Sequence, residues 1–201
     1  MEHIPLGFDT TRSFIHLLYW TGETLIGLGE TDGSRIVRYE VDPVSATVRL
    51  ATLVDGVRLA RTNGPGLAIS ADVVTAAVVH QPVESTGESA ETVELFWWSI
   101  GSDDVTRRVV RPASSIGASI LALGGEMPQQ TLVLAQSVNG QTWVTAARVR
   151  APGEVEGGNE PIGAYTVVRA AAAWAPSRGT AAIALLEQQE LEVLYVCEGA
   201  P

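Results

Sequence analysis

The chain has 201 residues, is 46% apolar and carries a formal charge of -10 at pH 7, which suits one all-β domain of residues 1–201 with a sizeable core. All 13 basic residues are arginine, and their one cluster, Arg107, Arg108 and Arg111, sits beside Asp103 and Asp104, so nucleic acid and anionic membranes are poor candidate partners. No run approaches the ~20 apolar residues of a spanning helix, no basic start or signal core opens the chain, and a lone Cys197 excludes an internal disulfide; the expectation is a soluble, cytoplasmic protein.

In chain order, the first apolar run is Ile15 to Trp20, followed by Thr24 to Gly29, the turn Asp32-Gly33, and Arg35 to Val41. Asp-Gly supplies the positive φ angles of a tight hairpin turn. Val37, Tyr39 and Val41 alternate with Arg38 and Glu40, as Val93, Leu95 and Trp97 do with Thr92 and Glu94, which predicts strands with one buried and one wet face. A fourth strand is predicted over Thr47 to Val54.

The second unit repeats this order with Gly66 to Ser70, Val73 to Val79, Thr92 to Trp98 and Val105 to Arg111. Its strands are separated by the polar stretch Pro82 to Glu91, which has almost nothing to bury and is predicted to be a surface loop. The third unit has Ile120 to Leu123, Thr131 to Ala135, the turn Asn139-Gly140, and Thr142 to Val149. Ala151 to Pro161 reads as loop because Gly, Pro and Asn dominate it. The fourth unit has Ala170 to Trp174, Thr180 to Leu186, and Glu190 to Val196. Helix is its rival reading, since Ala, Leu, Glu and Gln are strong helix formers, but Val193, Tyr195 and Val196 favour strand. Ile4 to Phe8 is available to complete this last sheet.

The doubly apolar second runs begin at Thr24, Val73, Thr131 and Thr180, at intervals of 49, 58 and 49 residues. The long interval contains the polar insertion. Units of roughly 14–55, 57–112, 116–160 and 162–197 follow, each an antiparallel sheet of three or four strands. Such a unit is similar to a β-propeller blade, a four-stranded sheet packed radially on its neighbours. The resemblance implies a closed four-bladed propeller or a partial propeller arc. It names an architecture only, because the signatures of the WD and kelch repeats are absent.

Catalytic chemistry leaves little trace. His3, His16 and His80 are far apart, and no local ligand spacing for zinc occurs. No nucleophile elbow or phosphate loop is present, so neither cofactor nor metal is implied. Asp103-Asp104 and Glu154-x-Glu156 read as solvated loop acids, while Asp32, Asp42, Asp55 and Asp72 fall where carboxylates cap turns. Neighbouring strand residues face opposite ways, so one of Trp97 and Trp98 lies outside unless both faces of the sheet are covered. Phe96, Trp97 and Trp98 are therefore the candidate interaction surface, while Trp20, Trp143 and Trp174 read as core or blade-contact residues. The expected function is a non-enzymatic protein-binding or scaffold domain that self-associates or enters a larger complex. The alternatives are a hydrolase or lyase with acids converging on a propeller channel, and a carbohydrate-binding module.

Overall fold

The computed structural model describes residues 14–60, 66–83, 91–115, 117–138, 141–165, 169–175, 180–187 and 190–197. These form strands and turns, with no helix among them. The first sheet is β1 (Phe14–Trp20), β2 (Leu25–Thr31), β3 (Arg35–Asp42) and β4 (Thr47–Asp55), paired in that order. In the second, β7 (Val73–Pro82), β8 (Glu91–Ser99) and β9 (Thr106–Ser115) follow one another. The short strands β5 (Val57–Leu59) and β6 (Gly66–Ser70) pair with two consecutive stretches of β7.

The third sheet is β10 (Ala118–Gly124), β11 (Gln130–Val138), β12 (Gln141–Ala151) and β13 (Glu154–Tyr165), and the fourth is β14 (Arg169–Ala175), β15 (Thr180–Glu187) and β16 (Glu190–Cys197). All pairings are antiparallel and join consecutive strands, except that β5 pairs with β7. The fold is all-β and propeller-like, with four repeated sheets. Among the described residues no hydrogen-bonded pairing joins the fourth sheet to the first.

Radial stacking covers both faces of the second sheet. Val74, Ala76, Val78, Phe96 and Trp98 pack against Ile26, Leu28 and Ile36 of the first sheet. Ala77, Val79, Val93, Leu95 and Trp97 pack against Ile120, Leu132, Leu134 and Val149 of the third. Burying each such large side chain contributes about 1.5–3 kcal/mol, and the two apolar layers hold the blades in series.

Two expectations need correction. The alternating charged faces are not wet: Arg38, Glu40 and Glu94 are buried, because a neighbouring sheet covers the face they share with core residues. The stretch read as a loop after Ala151 is strand β13, paired with β12 through register shifts. Gly157 and Gly158 adopt φ values of 75° and 80°, which lets bulges absorb a Gly-rich sequence into a sheet. The helical rival is also overturned, since β14, β15 and β16 pair residue for residue. Ile4 to Phe8 and residues 84–90 lie outside the described residues.

Candidate functional site: the junction of the first two sheets

Strand period places Ile36, Arg38 and Glu40 of β3 on the face turned to the second sheet. The Arg38 Nη1 donates to Glu40 Oε1 at 3.0 Å, and the Trp98 indole Nε1 donates to the same oxygen at 2.9 Å. The other carboxylate oxygen, Oε2, accepts from the Gly101 backbone N at 2.9 Å. The Arg38 guanidinium lies 5.1 Å from the centre of the Trp98 ring, a cation–π distance, and its Nη2 donates to the Ser102 carbonyl. One ion pair thus ties β3 to both β8 and the loop that follows it. Burial pulls the Arg38 pKa below its usual value, against the opposing pull of Glu40 and Asp103.

Beyond Glu40 the two sheets leave a cleft of about 300 Å³. Its floor continues the same face of the first sheet, through Thr24, Asp42 and Thr47, and its wall is Ile100 and Gly101. Arg49 lines it too, donating to the Gly101 carbonyl and pairing with Asp103 at 2.9 Å. Asp42 Oδ1 accepts from the backbone N of Val44 at 2.8 Å and of Ser45 at 3.3 Å, and Oδ2 accepts from Ser45 Oγ at 2.6 Å. The Ser45 hydroxyl and these two amides hold the Asp42 carboxyl below the usual carboxylate range, so it is no proton donor at neutral pH. Both cleft acids are thus engaged in holding the loops, Asp42 as the turn cap its position predicted.

A second buried group lies toward the opposite end of the same junction. His80 Nε2 is 2.9 Å from Glu94 Oε2, and Arg107 Nε is 3.8 Å from Glu94 Oε1. His80 Nδ1 is buried without a hydrogen-bond partner. Among the described residues no group of three or more His, Cys, Asp or Glu side chains is arranged to hold a metal ion.

The aromatic cluster singled out in the sequence is not on the surface. Phe96, Trp97 and Trp98 are each no more than 2% exposed; Phe96 and Trp98 face the first sheet and Trp97 the third. Both faces of that strand are covered, which removes all three as surface anchors of this chain. The exposed aromatics are elsewhere. Leu18, Tyr19 and Trp20, at the end of β1, are 50%, 42% and 53% exposed. Trp20 is therefore not core, as its apolar surroundings in the sequence had implied.

Local structure fixes this strip. Leu18, Tyr19 and Trp20 pair with Gly27, Ile26 and Leu25, so Tyr19 shares the Glu40 face and its neighbours the other. The Thr21 hydroxyl donates to the Thr24 carbonyl and accepts from the Thr24 N at 2.9 Å, closing the turn beside Trp20. A signal was available: three large apolar residues run directly into Thr21-Gly22-Glu23, where the sheet ends and its neighbours no longer reach.

No protein-family model and no curated protein matches this sequence. Among solved structures the fold is similar to that of Trypanosoma rangeli sialidase in complex with sialic acid, with a TM-score of 0.54 and 8% identity. The match covers 92% of this chain and 36% of the sialidase chain. At that identity the likeness shows the propeller-like fold alone, and the chain spans little more than a third of that protein's length.

Proposed function

We propose that the chain is a protein-binding platform whose contacts centre on the end of β1, with Leu18 and Trp20 presented on one face and Tyr19 on the other. The observation that carries this reading is that three consecutive large apolar side chains are each about half exposed at the end of a strand held by its hairpin. An aromatic side chain offers 150–250 Å² of contact area. Half of that, still open to water, is worth about 2–3 kcal/mol per aromatic when a partner covers it, which is the scale of an interface hot spot.

The buried ion pair and two apolar layers supply a rigid support, so little ordering cost falls on binding. The hydrolase or lyase reading draws less support, because Glu40 and Asp42, the acids lining the cleft, are engaged by loop and turn donors. Entry into a larger cytoplasmic complex, or pairing of two copies, would use the same strip.

The test is site-specific photocrosslinking in the native host, with the crosslinker at Trp20 or, as a control, at Asp32 in the hairpin at the opposite end. Polypeptide adducts at Trp20 and none at Asp32 are expected. Equal labelling at both positions, or none at Trp20, overturns the reading.

A further inference from the structure

The strip stands at one end of the sheets, and the turns that open at that end carry acids. Hydrogen bonds identify that end. Gly101 reaches Glu40 and Arg49, the Ile100 N donates to the Asp72 carbonyl, and the Met127 N donates to Ser70 Oγ. The hairpins after β1, β6 and β10 therefore open together, and β6 touches both β1 and β10. Each of these three hairpins carries one exposed acid: Glu23, Asp72 and Glu126. The loop after β8 adds exposed Asp103 and Asp104. No described residue of these turns is basic. Arg49, on β4 at the cleft rim, is engaged by Asp103 and the Gly101 carbonyl.

We infer that the partner docked on Leu18, Tyr19 and Trp20 is a basic polypeptide segment, with an apolar anchor on the strip and flanking Lys or Arg side chains facing Glu23, Asp72 and Glu126. The inference rests on the docking reading above and adds the chemistry of the occupant. Two independent observations select it: exposed aromatic area, which needs an apolar partner group and also attracts cations to its ring faces, and a set of same-sign turns, which steers positively charged chains and repels acidic ones. The whole-chain charge of -10 acts in the same sense.

The experiment uses the full chain and three fluorescently labelled peptides: leucines flanked by arginines, the same with glutamates, and the same with serines. Binding is read by anisotropy at about 0.05 M and about 0.3 M salt, on either side of the ionic strength where the screening length is ~10 Å. The arginine peptide is expected to bind, and to weaken about tenfold or more across that range. Trp20→Ser is expected to weaken it about 30-fold. The triple variant Glu23→Gln, Asp72→Asn, Glu126→Gln is expected to weaken it about tenfold at low salt, with little further effect at high salt.

Circular dichroism of each variant confirms folding. Equal binding of the arginine and serine peptides, both lost in Trp20→Ser, overturns the basic partner and leaves the docking strip standing. Arginine-peptide binding that ignores Trp20→Ser overturns the inference as unspecific charge attraction. Absence of any peptide binding overturns both. Light scattering that shows a dimer dissolved by Trp20→Ser and indifferent to the arginine peptide overturns the basic partner and leaves the strip standing as a self-association surface.

Discussion

The Tyr39 ring lies across Gly27, its register partner on β2, in the space a side chain at Gly27 would need. Gly27 is thus fixed by its neighbour rather than by a turn. Gly27→Ala is expected to destabilise the chain by about 1–3 kcal/mol, the usual cost of overpacking, seen as a lower midpoint in urea with an unchanged slope. The double variant Gly27→Ala, Tyr39→Leu is expected to recover part of the loss, because the colliding ring is gone.

The same ring supplies a pH test. Burial pushes the Tyr39 phenol up from 10 to about 12. Between pH 10 and pH 12 the unfolded chain has released this proton while the folded chain keeps it. Stability therefore falls as pH rises through that window, by about 2 kcal/mol at its upper end. Tyr39→Phe is expected to remove this part of the alkaline loss. At pH 7 it costs little, since the Tyr39 hydroxyl is buried without a partner and gives up no hydrogen bond. Urea midpoints measured at pH 7, 10 and 11 check both statements.

Much of the strand order was legible in the sequence, and the reason is packing on both faces. β2, β7 and β11 read as doubly apolar, and for β7 the cause is a neighbouring sheet on each side, while Asp32-Gly33 marks its hairpin by turn chemistry alone. What misled was charge. Arg38, Glu40 and Glu94 alternate with apolar residues as they would on a wet face, yet each is buried against an adjacent sheet. Only the neighbours supplied by tertiary structure, Trp98, Gly101, His80 and Arg107, make that burial tolerable. The misplacement of the candidate surface has the same root. Trp97 and Trp98 lie in a strand covered on both sides, while Trp20 lies where the cover stops, and strand period alone distinguishes neither case.

The ion pair of Arg38 and Glu40, both buried side chains, gives an asymmetric prediction. Glu40→Ala leaves a buried guanidinium without its carboxylate and the Gly101 N and Trp98 indole without their acceptor. The expected cost is about 3–5 kcal/mol. Replacing both partners together, as Arg38→Met with Glu40→Leu, is expected to cost less than Glu40→Ala alone, because no uncompensated charge remains. Chemical denaturation of the wild type and these two variants measures this. A double variant no better than Glu40→Ala would show that the cost lies in the loop anchored through Gly101 rather than in the stranded charge.

Trp98 tests the same junction from the other side, with Trp97, which faces the third sheet, as its comparison. Both are buried, and Trp→Phe removes a comparable volume from each. Their indole nitrogens differ. Trp97 Nε1 is buried without a hydrogen-bond partner, whereas Trp98 Nε1 donates to Glu40 at 2.9 Å and its ring sits under Arg38. Trp97→Phe therefore gives up packing alone. Trp98→Phe gives up packing, a donor to a buried carboxylate worth about 1.5–3 kcal/mol, and the larger ring that faces the guanidinium. Denaturation midpoints are expected to fall in the order wild type, Trp97→Phe, Trp98→Phe. In a Glu40→Ala background the gap between the two tryptophan variants is expected to narrow, because the acceptor that separates them is gone.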